Sequence, residues 1–198
     1  MRRSPQDPIS DERGTGPTIA RLLGFGAILG GAIWVAAWFI AMNGPLIADG
    51  YGAYHDGQAA VPFYLLALGL LLGGLVGQLI LLPGTARLAR VGAGVAIPGL
   101  LLWTITPWSL PEFVVVVSAL LTMSVGAVWA RAWSTVTGGL VIGALGVLSL
   151  AVIPAFSGLI ELPPELGMVL LAVFGSLVWL GIGGSLVTGA APVRIRPA

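Results

Sequence analysis

The run Val61–Leu82, VPFYLLALGLLLGGLVGQLILL, carries no charge and one amide, Gln78. A bilayer core of about 30 Å takes roughly 20 apolar residues as an α-helix, and this run has that length. Pro62 suits the first turn of such a helix, because its missing N–H has no partner there. At the other end Pro83-Gly84 breaks the run, and Arg87 and Arg90 follow within one turn of each other. Helix, break and flanking arginines together read as one membrane crossing that ends on a basic face.

Extending this reading outward yields six spans: Ile19–Met42, Val61–Leu82, Ala89–Ile105, Glu112–Ala130, Ala132–Phe156 and Glu165–Thr188. The third is short and contains Pro98, yet a run of about 17 residues can cross a thinned or untilted bilayer. Charge supports keeping it. All nine basic residues are arginines: Arg2, Arg3, Arg13, Arg21, Arg87, Arg90, Arg131, Arg194 and Arg196. With six spans every one of them falls on the same side. The three opposite loops contain only acids: Asp49, Asp56, Glu112, Glu161 and Glu165. Random placement on two faces gives such a split in roughly one case in 250, so span count and positive-inside orientation support each other. The expected fold is an all-α six-transmembrane-helix bundle arranged as three helical hairpins. Both termini are expected to be cytoplasmic, in the cell membrane.

The domain organisation follows. Residues 1–18, with Pro5, Pro8 and several acids, are too polar to bury a core and are expected to form a disordered cytoplasmic tail. Residues 19–189 form the membrane domain, with an extracytoplasmic loop at 43–60, and 190–198 form a short second tail. The 198 residues are 57% hydrophobic and 9% charged, against about 25% charged in a soluble domain. A net charge of +1 arises from two oppositely charged faces and points to no nucleic-acid partner. The lipid bilayer is the expected environment, with partner subunits or further copies of the chain as the expected contacts.

Several chemistries are excluded by what is missing. Without lysine there is no Schiff-base site. Without cysteine there is no thiolate, disulfide or thiol redox centre. One histidine, His55, cannot form a bis-histidine haem site, so no cofactor is expected. No G-x-S-x-G motif occurs, and no histidine lies within a span to activate a serine. Ionisable side chains deep in a membrane mark ion and proton paths, and none sits deep in these spans.

Three groups of residues remain as candidates. Small residues at four-residue spacing, Gly26/Gly30, Gly69/Gly73/Gly77, Gly139/Gly143 and Gly181/Ser185, allow close backbone approach, which binds helices in lipid. Mid-span hydroxyls, Ser118, Thr122, Ser149 and Ser176, are the material for a path for a small neutral solute. Back-bonding to their own helix carbonyls is the plainer expectation. In the loop, Asp49, His55 and Asp56 are the only candidate metal ligands, set among two Asp-Gly turn signals. Tryptophans near span ends, Trp34, Trp38, Trp103 and Trp108 on one side and Trp129 and Trp133 on the other, read as interfacial belts, while Trp179 alone falls near mid-span.

The functional expectation is a non-catalytic membrane protein, a structural or accessory subunit working by helix packing. A solute channel through the hydroxyls is one alternative. A sensor built on the 43–60 loop is another.

Overall fold

In lipid a chain has no water to satisfy its amides, so each crossing must bond within itself, and apolar runs of this length become helices. A computed structural model describes residues 15–49, 52–105 and 110–189. Its elements are α1 (Thr15–Met42), β1 (Leu46–Asp49), β2 (Gly52–His55), α2 (Val61–Leu81), α3 (Arg87–Ile105), α4 (Leu110–Trp129), α5 (Thr135–Val147), a π-helical turn (Leu148–Val152), α6 (Ile153–Phe156) and α7 (Pro164–Gly189). Six segments are long and apolar enough to cross a membrane, with α5 running through the π turn to Ala155 as one of them. The chain is thus a helical, multi-pass membrane protein.

The expected span limits fall within a few residues of the observed ones, with two local differences. α1 begins at Thr15, so the end of the expected tail is helical; residues 1–14 and 190–198 lie outside the described residues. The outer loop is more ordered than a pair of turns. β1 and β2 pair antiparallel, Leu46 opposite His55 and Asp49 opposite Gly52, and the Asp56 amide closes the base on the Pro45 carbonyl at 2.8 Å.

α1 packs against α2, and α3 against α4, with the start of one helix beside the end of the other. Gly77 lies against Leu23, and Gly30 against Ala67 and Leu70; Gly126 lies against Ala89, and Gly99 against Val116. Neighbouring spans close a circuit: α1 on α2, α2 on α3, α3 on α4, α4 on α5, α5 on α7, and α7 back on α1. This order gathers Arg21, Arg87, Arg90 and Arg131, all exposed, at one end of the bundle. Asp56, Glu112, Glu161 and Glu165 stand at the other.

The seam that faces the interior repeats at spacings of three and four. In α1 it is Ala20, Gly24, Ala27, Gly31, Trp34 and Trp38, all buried. In α3 it is Ala89, Ala93, Ala96 and Leu100, with Ala86 just before the helix, and in α4, Phe113, Val117, Leu120, Ser124 and Ala127. A repeat of three and four keeps one stripe turned toward its neighbours along a whole span. In all three helices the small residues lie at the arginine end and the large ones at the acidic end.

Helix ends are held by local chemistry. The Ser134 hydroxyl caps α5 by accepting the Thr137 amide at 3.1 Å. After α4, the Ala132 amide reaches the Ala127 carbonyl at 2.8 Å and the Arg131 amide reaches Val128 at 2.9 Å, with Arg131 at φ 55°. The same two-bond closure follows α6, where Gly158 takes φ 72°. Pro154 has no N–H for the carbonyl one turn back, and the chain absorbs this by widening into the π turn just before it.

Candidate functional site

The interior divides into a polar closure at the arginine end and an aromatic chamber toward the acidic end. Gln78, on the seam of α2, is buried. Its Nε2 donates to the Ile182 carbonyl at 3.0 Å and to Ser185 Oγ at 2.6 Å, both on α7. Its Oε1 accepts from Trp133 Nε1, in the α4–α5 turn, at 3.2 Å. Ser185 Oγ in turn donates to Ile182 O at 2.7 Å. An amide buried in hydrocarbon without partners costs several kcal/mol, so this arrangement lets Gln78 tie three parts of the chain together.

Above this closure the small residues give way to rings. Trp34 stands edge-on to Trp38 at 6.0 Å and to Tyr64 at 5.5 Å, and tilted to Trp103 at 5.9 Å. Trp103 continues to Phe113 at 6.0 Å. Trp34 seats against Gly175, where a Cβ would come within 3.1 Å of its Nε1, and that nitrogen donates to Leu171 O at 3.4 Å. Tyr64 Oη is buried without a hydrogen-bond partner among the described residues. Trp34, Trp103, Phe113 and Trp179, with leucines and valines beneath them, line a cavity of about 50 Å³. Every span contributes to its wall, including Trp34, Leu71, Leu100, Val117, Leu145 and Trp179.

This corrects the reading of the tryptophans. Trp129 is 81% exposed, as an interfacial residue should be, whereas Trp34, Trp38 and Trp133 are buried; Trp108 lies outside the described residues. Glycines on facing helices make room for the rings, so packing overrides the interfacial preference. The signal was present in the sequence: Trp34 and Trp38 extend the three-and-four spacing of Ala27 and Gly31.

The small-residue stripes divide. Gly30 is closed by Ala67 and Leu70, Gly77 by Leu186 and Leu23, and Gly181 by Val141. Gly73 makes an ordinary contact with Leu23, and Gly26 another with Leu70. Gly69, Gly139 and Gly143 have nothing within 4 Å of where a Cβ would stand, so they meet no neighbouring helix of this chain. A strict four-residue step drifts about 40° round the helix each time, which carries these glycines off the seam. Gly181 is among the closest approaches, together with Gly24, Gly74, Gly92, Gly126, Gly138 and Gly183, which the four-residue stripes did not name.

The hydroxyls do not converge. Thr122 bonds back to Ser118 O at 2.8 Å, Ser149 to Leu145 O at 2.8 Å, and Ser176 to Val173 O at 2.7 Å. Ser118 is exposed on α4, and none of the four lines the cavity. In the loop, the β-register sets Asp49 beside the hairpin tip and His55 at its base, about 10 Å apart along the strand. Asp56 Oδ1 accepts the Gln58 amide at 2.9 Å, a turn contact. The side chains of Asp49 and His55 lie outside the described residues; among those described, no cluster of three or more metal-ligating side chains occurs. Compared with protein-family models, curated proteins and solved structures, the chain matches none.

Proposed function

We propose that this chain is a non-catalytic component of the cell membrane, three antiparallel hairpins with both termini in the cytoplasm, acting through helix packing as an accessory subunit. One observation carries this reading. Among the described residues the buried polar residues Gln78, Ser124, Ser176 and Ser185 are each bonded within the bundle, while the Tyr64 hydroxyl is buried without a partner. A transporter needs a set of polar groups left for its substrate, and an enzyme needs reactive ones; a lone phenol among bonded groups supplies neither. The orientation rests on arginines at one end and acids at the other.

Three measurements test it. The chain has no cysteine, so single-cysteine reporters are simple. An impermeant thiol reagent applied to intact cells should label Ser157→Cys and spare Ser134→Cys; the reverse pattern overturns the orientation. Gentle purification should retain a stoichiometric membrane partner. Liposomes carrying the chain should pass small neutral solutes no faster than empty ones, and measurable facilitated flux would replace this reading with the channel.

A further inference from the structure

We propose that the aromatic chamber is a binding site for a small apolar molecule of about two to three heavy atoms, of the class of dioxygen, carbon dioxide or a short alkane. The chemistry of the wall selects the class. A bound water needs two to four polar partners, and this wall is almost wholly apolar, with Trp34 Nε1 already given to Leu171 O at 3.4 Å. An occupant would be held by dispersion alone and discriminated by size. At about 50 Å³ the cavity is well below the roughly 150 Å³ that admits benzene, yet above what one water fills.

The wall is built so that it does not collapse. Trp34 is wedged between Gly175 and the neighbouring rings, and Trp179 stands against Gly31, whose Cβ would lie 3.3 Å from it. Trp34 and Trp103 are held by neighbouring rings, so closing the space from that side means displacing a tryptophan. One further element of the wall, Leu148, sits on the π turn. Such turns re-aim side chains and recur at functional sites. The proposal is independent of the accessory-subunit reading, because partner capture and cavity binding are measured separately.

The probe is xenon, applied under pressure to crystals of the detergent-purified full chain, with anomalous scattering as the readout. The expected result is one peak enclosed by Trp34, Leu145 and Trp179. Val178→Leu and Val117→Leu each add a methylene to the wall and should reduce that peak at least about fivefold. Leu145→Ala enlarges the chamber and should admit benzene, giving a benzene-dependent rise in Tm that the parent chain lacks. Xenon confined to the lipid-facing surface, or equal peaks in parent and Val178→Leu, would overturn the proposal. If Val178→Leu does not fold, Val117→Leu decides by the same criterion; the benzene response of Leu145→Ala is an independent arm, and its absence also counts against the site.

Discussion

The two ends of the bundle use one spacing rule and reach opposite results. At the arginine end the seam residues are glycine and alanine, backbones nearly touch, and an amide closes the centre. Toward the acidic end the same seam carries Trp34, Trp38, Trp103 and Phe113, and the helices stand apart around a cavity. In lipid no hydrophobic force distinguishes these ends, because the solvent is as apolar as the side chains. What differs is how much dispersion contact each arrangement recovers. Side-chain size along a three-and-four repeat is therefore a packing variable, closing the centre toward one end and leaving a cavity toward the other.

If that contrast is right, truncating a wall residue should have the largest effect. Leu145→Ala removes buried atoms beside an existing cavity that rigid rings keep open, so the site cannot relax. We expect about 2–5 kcal/mol lost in reversible denaturant unfolding. Overpacking the tight end comes next. At Gly92 an added Cβ would lie 2.6 Å from the Ala119 carbonyl, a backbone atom that cannot step aside. Gly92→Ala should cost about 1–3 kcal/mol, while Gly94→Ala, with open space around it, should be neutral or slightly stabilising. Equal effects at the two glycines would abolish the distinction between seam and surface.

The amide closure sharpens the same comparison at smaller scale. Gln78→Leu keeps the volume and strands the Trp133 N–H, so about 1–2 kcal/mol should be lost. A double-mutant cycle with Ser185→Ala should isolate a coupling near 0.6 kcal/mol, the usual size of an interhelical hydrogen bond in a membrane protein. A coupling indistinguishable from zero would mean that the two side chains do not share this bond.

Much of the fold was legible because its determinants are one-dimensional. Span length is set by bilayer thickness, and the arginine split is a property of chain order alone. Helix limits such as Met42 and Ile105 followed from the ends of apolar runs. The interior was harder, because it depends on which face of each helix turns inward. A count of four-residue glycine steps selected Gly69, Gly139 and Gly143, which face away, and passed over Gly92 and Gly126. Tracking three-and-four spacing would have found both glycines' neighbours and the buried tryptophans. Gln78 was visible as a lone amide; its partners Trp133 and Ser185 lie 55 and 107 residues further on, and no local pattern joins them.

The smallest effect concerns two turns with one geometry. Both α4 and α6 end in the same pair of amide–carbonyl bonds around a left-handed residue, Arg131 at φ 55° and Gly158 at φ 72°. Glycine takes that conformation freely, whereas a residue with a Cβ is strained by about 1 kcal/mol. Arg131→Gly should therefore stabilise the bundle by about that amount, and Gly158→Ala should cost about as much. The same exchange removes the basic residue between the fourth and fifth spans, leaving that turn with no charge to favour the cytoplasm. Reporter cysteines on either side of the turn should then show a fraction of molecules with the central hairpin misoriented. Greater stability with unchanged topology would mean that Arg87 and Arg90 alone orient that half of the chain, leaving the strain at position 131 without a topological role.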